Sequence, residues 1–252
     1  MKNLLESFIV AFGMYSKIPM PRINWNEKNM KYCLCFFPVI GAVIGLLESG
    51  WYALAVYAGY GVVFRTALMA IIPVLITGGI HLDGLLDTAD ALSSYKSREE
   101  KLEILKDSHA GAFAVIVGIS WFICMIGVLS EATFRDMCIL APGFMLSRAY
   151  SGFGVVRLKK AKNSGLLRTF ADAAYADRVA KIMLVWIIVL TIGIVAAAPV
   201  KGTAEVVIAF LTFLWYRHVA YSKFGGTTGD IAGFFVQMCE LFMAAGVILI
   251  RF

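Results

Sequence analysis

Residues 62–90 read VVFRTALMAIIPVLITGGIHLDGLLDTAD, and the fold turns on how this stretch is read. An almost unbroken apolar run from Val62 to Thr77 stops at a Gly-Gly pair. Three carboxylates then follow within eight residues: Asp83, Asp87 and Asp90. A helix over 80–92 puts them within an arc of roughly 60° on one face. Three anions on one stripe repel each other unless a cation sits among them. A solvated acidic helix face is the plain alternative. The residues between, Leu82, Leu85, Leu86 and Ala89, and the position at the end of a membrane-length segment favour a metal site instead. Carboxylates suit hard divalent ions, and Mg²⁺ characteristically combines a few of them with substrate phosphate oxygens.

Composition agrees with a membrane setting. Of 252 residues, 60% are hydrophobic and 16% charged, with a mean hydropathy of +0.78; soluble domains carry nearer a quarter charged residues. Several apolar runs of about twenty residues predict an all-α, polytopic integral membrane bundle forming a single domain over 1–252. The alternating ten-residue segments of a membrane β-barrel are absent. A formal charge of +6 requires no nucleic-acid partner, since basic residues also set topology. Cys33, Cys35, Cys124, Cys138 and Cys239 are scattered through apolar segments without CxxC spacing, so reduced packing cysteines are expected. Lys2 and the apolar run after it imitate a signal peptide, but Glu6 interrupts and no small-residue cleavage site follows.

Seven spans are predicted near 33–58, 61–80, 110–130, 137–156, 182–199, 203–221 and 230–250. Residues 3–16 form a short amphipathic helix at the membrane surface, ended by Pro19 and Pro21. With the N-terminus inside, eighteen Lys and Arg fall on the cytoplasmic side against four opposite: Arg65, Arg135, Lys201 and Arg251. The acidic stretch therefore faces the cytoplasm.

Other polar positions have two readings each. Lys17 and Arg22 flank a rigid turn and either hold a phosphate or mark the cytoplasmic side. Ser97 caps a short charged helix with Glu99 and Glu100 in its first turn. Asp107 is a ligand or a cap at a membrane entry. Arg148, inside a span, is a bidentate phosphate binder or a snorkelling side chain. The basic run Arg157–Arg168 is a topogenic tether or a cover for an anionic substrate. Gly225-Gly-Thr-Thr-Gly-Asp230 enters the last span; such a turn exposes backbone N–H groups to an anion, and Asp230 adds a metal ligand. Glu240, deeper in that span, requires a polar partner. His81, two residues before Asp83, is a proton shuttle, a phosphate donor or a packing residue. No P-loop, GxSxG elbow or HExxH is present.

With both stretches in hand, the chain resembles the cobalamin synthase family, the adenosylcobinamide-GDP ribazoletransferases. The matching pieces are Ile18–Pro21, Phe37–Gly41, Thr77–Asp90, Leu102–Ser108, Ser147-Arg148 and Gly225–Asp230, in the family's order over nearly the whole chain. The segment Ala110–Ala114 is a more variable version of its motif. The resemblance implies a bacterial or archaeal inner-membrane enzyme joining adenosylcobinamide-GDP to α-ribazole or its 5′-phosphate, with release of GMP, and Mg²⁺ as cofactor. Asp83, Asp87, Asp90 and Asp230 are then the expected metal ligands, with His81 or one aspartate accepting the hydroxyl proton. Substrate is expected on Ser147, Arg148, Asp107, Ser108, Lys17, Arg22 and Gly225, Gly226, Thr227, Thr228 and Gly229. A homo-oligomer or a complex with other corrinoid-pathway enzymes stays open. Two rival classes are another membrane transferase, of CDP-alcohol or UbiA type, and an ion or metal transporter. Against the transporter stands the expectation that few ionisable groups lie at mid-membrane.

Overall fold

A computed structural model describes residues 2–107, 109–161 and 175–250. Ser108, residues 162–174, which include Lys162 and Arg168 of the basic run, and Arg251 lie outside these residues. The helices are α1 (Lys2–Tyr15), α2 (Glu27–Met30), α3 (Phe37–Tyr57), α4 (Val62–Thr77), α5 (Ile80–Ser93), α6 (Arg98–Ile104) and α7 (Ala112–Ser130). They continue with α8 (Phe134–Leu140), α9 (Gly143–Arg157), α10 (Ala176–Ala197), α11 (Pro199–Val219) and α12 (Gly229–Leu249). A 3₁₀ turn (Cys33–Phe36) precedes α3 and a π-helical turn (Ala220–Phe224) ends α11. Among the described residues the one extended pairing is a parallel bridge between Lys160 and Thr227.

Each expected span contains a long helix, but the count of seven is not met by length and composition. Four stretches are long and apolar enough to cross a bilayer: residues 28–57, α7, α10 and α12. The α4–α5 pair makes a fifth if taken together, bent by 98°. The fourth expected span divides into α8 and α9 before Pro142, and α9, with 15 residues, rises only about 22 Å against a hydrocarbon core of about 30 Å. Lys201, Glu205 and Arg217 dilute α11. The outward faces of α3, α7 and α10 carry exposed Leu46, Leu54, Ile116, Ile123, Ile188 and Ile192, as lipid contact requires.

The central helix is α12: 72% of its most apolar window is buried, against 22% for α7. Around it pack α5, α7, α9 and α11. Close approach elsewhere depends on small residues. Where α3 crosses α9, a Cβ on Gly41 would strike the Phe144 carbonyl and one on Gly45 the Ala141 carbonyl. This is small-xxx-small helix packing. The expected surface helix α1 is present, but its second half turns inward: Val10, Ala11 and Phe12 are buried against Cys33, Leu34, Phe37 and Ile40. All five cysteines are free, three of them buried.

The bundle interior is more charged than the sequence suggested. Arg148 is 0% exposed, and its Nη1 donates to Glu240 Oε1 at 2.6 Å, with Ser147 Oγ donating to the same oxygen at 2.9 Å. Glu240 thus finds the expected polar partner. Glu48 and Glu205 are also buried, and the carboxylate oxygens of both lack hydrogen-bond partners. Glu48 and Glu240 line one cavity of about 30 Å³, room for a water or two, among Met69, Trp121, Met125 and Met243. The expectation of few mid-membrane ionisable groups is therefore corrected.

Removing one partner of a buried pair strands the other charge. Glu240→Gln should lower stability by about 3–5 kcal/mol. Glu48→Gln removes no bonded partner and should change it by less than about 1 kcal/mol. Unfolding of the purified protein in micelles compares the two, and equal losses would contradict the arrangement.

Candidate active site

The site begins at the break between α4 and α5. Gly78 (φ 65°) and Gly79 (φ 80°) are both left-handed, a conformation costly for any residue with a Cβ. Gly79 N–H reaches the Val74 carbonyl at 2.9 Å and Gly78 N–H the Leu75 carbonyl at 3.4 Å, a Schellman closure that satisfies carbonyls of α4. Lys17 N–H bonds the Ile76 carbonyl at 2.7 Å, and its aliphatic stem covers Gly78, where a Cβ would collide with it. Lys17 therefore stands at the mouth of the site. Arg22 is exposed on the same turn-containing segment.

Beyond the break, α5 runs across the ends of α7 and α12. It buries His81, Gly84, Leu85, Thr88 and Ala89. Gly84 lets α12 approach so closely that a Cβ would strike the Asp230 carbonyl. That contact joins the acidic stretch to the GGTTGD loop. Asp83 is exposed, while Asp87, Asp90 and Asp230 are half-buried. Burial, then the charges of Asp83, Asp230 and Asp90, push the Asp87 carboxyl up to about 7. All four expected acidic residues share one electrostatic neighbourhood. Among the described residues, however, no three acidic, His or Cys side chains converge closely enough to form a ready-made cage.

Individual residues have more specific employment than the sequence disclosed. Both Asp90 oxygens accept backbone N–H groups at the start of α7, from Gly111 at 2.6 Å and Ala114 at 2.9 Å. Asp107 pairs with His109 (Oδ1 to Nδ1, 2.7 Å), a hydrogen bond that holds its carboxyl below the usual range. His81 is 4% exposed beneath α5, against Gly233 and the Phe37 ring, and its Nε2 has no partner. The ring lies away from solvent, packed towards α12 and Phe37. Arg148 and Ser147 are both 0% exposed and bond Glu240, while Arg148 Nε and Nη2 are buried without a hydrogen-bond partner.

The Gly-rich loop also differs from expectation. Gly225 N–H bonds the Tyr221 carbonyl, Gly226 N–H the Ala220 carbonyl and Thr227 N–H the Lys159 carbonyl, at 3.2, 2.9 and 2.8 Å. These amides close the π-helical turn and the short bridge, so they are not an anion nest. The Thr227 hydroxyl bonds Tyr216, and Thr228 caps α12 by accepting from Ile231 N–H at 3.3 Å, while Gly229 is exposed at its first turn. The expected cap on α6 is present as a full capping box, Ser97 with Glu100. The residue that sequence reasoning passed over is the next one, Arg98. Its Nε donates to the Phe224 carbonyl at 2.8 Å, and its guanidinium lies where a Cβ of Gly225 would be. Only the left-handed Gly225 hinted at something pressed against that loop.

The Asp87 carboxyl binds its proton more tightly in the folded state than at the usual 3.8. Its contribution to stability is complete below about pH 4 and is lost as pH rises through about 7. In metal-free buffer, Asp87→Asn should therefore melt above the wild type at pH 8, with a smaller difference at pH 5. A gain that shrinks as pH rises would refute the clustering.

Comparison with known proteins follows the same lines. The family model described as cobalamin-5-phosphate synthase matches residues 7–248. An adenosylcobinamide-GDP ribazoletransferase of Lachnoclostridium phytofermentans is 44% identical over 245 residues, covering 97% of this chain and 94% of that protein. One from Clostridium botulinum (strain Alaska E43 / Type E3) is 32% identical over 244 residues, covering 96% of each. No solved structure shows significant similarity.

Proposed function

The chain belongs to the cobalamin-5-phosphate synthase family, and from that premise we propose that the acidic mouth formed by α5 and the start of α12 is the transfer site of an adenosylcobinamide-GDP ribazoletransferase. The reaction is the last assembly step of cobalamin. A ribose hydroxyl of α-ribazole, or of its 5′-phosphate, forms a new O–P bond at the β-phosphorus of the GDP group. The bridging P–O bond breaks, its electrons leave with GMP, and the hydroxyl proton passes to a base.

The observation that carries this reading is the gathering of carboxylates around Asp87, whose proton affinity is raised first by burial and then by the charges of Asp83, Asp230 and Asp90. A divalent cation relieves the same repulsion, and an all-oxygen donor set suits Mg²⁺. Asp83, Asp87 and Asp230 would hold it, with Asp90 adding charge while it caps α7. When bound, the ion supplies neutralisation of the diphosphate and of the charge on the leaving oxygen. The chain's own groups do the rest. One aspartate of the group accepts the hydroxyl proton. Asp83 is exposed beside Asp87. Lys17, over Gly78 at the edge of the mouth, meets an incoming anion.

If all seven helix-bearing segments cross, eighteen Lys and Arg against four favour an inner-membrane protein with its N-terminus and site in the cytoplasm, where nucleotide-linked substrates reside.

The purified protein with adenosylcobinamide-GDP, α-ribazole 5′-phosphate and Mg²⁺ should release GMP in step with corrinoid product. Chelation should stop the reaction and Mg²⁺ restore it. Asp83→Asn and Asp87→Asn should each reduce turnover at least roughly a hundredfold while eluting as the wild type does. Wild-type activity in Asp87→Asn would remove the metal assignment.

A further inference from the structure

The first three amides of the loop that was to bind an anion, those of Gly225, Gly226 and Thr227, are bonded within the fold, and the arginine inside the bundle is paired with Glu240. A different guanidinium stands at the loop. Arg98, the first residue of α6, reaches across to bond the Phe224 carbonyl through Nε at 2.8 Å. Its Nη2, Cζ and Nε lie against the bare face of Gly225, whose φ of 70° and missing Cβ are both required for that approach. Arg98 is exposed, and among the described residues neither terminal nitrogen has a partner. A guanidinium is a rigid fork. With Nε bonded to the Phe224 carbonyl the fork is restrained, and its terminal nitrogens are donors of the kind that bond phosphate oxygens in pairs.

The surroundings match an anion of high charge. Lys223 lies within the π-helical turn next to Phe224, and Lys159 lends its carbonyl to Thr227; both are exposed. Five residues beyond Gly225, Asp230 belongs to the acidic cluster with Asp87. The GGTTGD loop therefore has the Arg98 guanidinium against its beginning and the Asp230 carboxylate at its end. A diphosphate ester spanning the loop meets both.

We propose that Arg98, fixed over Gly225 by its bond to the Phe224 carbonyl, is the phosphate-gripping residue of the site and takes the nucleotide diphosphate of the donor substrate. The assignment rests on the transferase reading above and names which substrate this edge of the site recognises. It commits Arg98 to the donor's diphosphate and not to the acceptor's 5′-phosphate, so only the donor's affinity should depend on it.

The test uses the full-length protein in detergent with adenosylcobinamide-GDP and α-ribazole 5′-phosphate varied separately. Arg98→Ala should raise KM for adenosylcobinamide-GDP roughly tenfold to a hundredfold. KM for α-ribazole 5′-phosphate should stay within about twofold. GDP alone, as a competitive probe, should weaken by the same factor as the donor. If Arg98→Ala does not elute as a single species, Arg98→Lys carries the test: it keeps a cation without the fork, and a several-fold donor-only rise supports the proposal. Unchanged donor KM, or a joint change in both KM values with a lower melting temperature, overturns it and leaves Arg98 as a staple of the loop. An inactive wild type would instead defeat the transferase reading itself.

Discussion

Hydrocarbon offers backbone groups no partner, so a chain that leaves it must satisfy its last carbonyls before it can turn. Gly78 and Gly79 do this in two residues, closing the end of α4 on itself while reversing the handedness of the backbone. Because both are left-handed, α5 departs at 98° and lies across the bundle's end. Its first aspartates are thereby placed beside the first turn of α12. The acidic cluster, the cap on α7 and the contact of Gly84 with Asp230 all follow from that one turn.

The interior carries a second constraint. Arg148 and Glu240 offset each other's charge, with Ser147 and the Phe144 carbonyl completing part of their bonding. Such a pair contributes less to net stability than to fixing which helices meet, because desolvation consumes most of the Coulomb gain. Here it locks α9 to α12 at the depth where α3 brings Glu48 to the same cavity. A bundle held this way presents a firm floor beneath α5. His81, on the inward face of α5, packs against Phe37 at that floor.

The architecture was legible wherever periodicity and composition speak for themselves. Long apolar runs marked helices at all seven places, the double glycine marked the break, and Ser97 with Glu100 marked a capped start. What escaped was anything decided by a partner distant in sequence. An arginine in an apolar stretch looks alike whether it faces phosphate or Glu240, 92 residues away. A Gly-rich loop before a helix looks like an anion nest until its amides are seen to bond Tyr221, Ala220 and Lys159. Arg98 looked like a charged residue on a short surface helix, because Phe224 is 126 residues away. Local rules found where polar groups gather, while three-dimensional pairing determined which of them remain available.

Asp90 illustrates what this means for reading genetic data. It is at once a member of the acidic cluster and the side chain on which the first turn of α7 hangs, through Gly111 and Ala114. Any allele at codon 90 alters two properties together, the charge of the mouth and the anchoring of a membrane helix. An inactive allele there is therefore ambiguous in a way that alleles at 83 and 87 are not. Position 90 is a hinge pin as well as a charge, and a selection screen would score both roles as one.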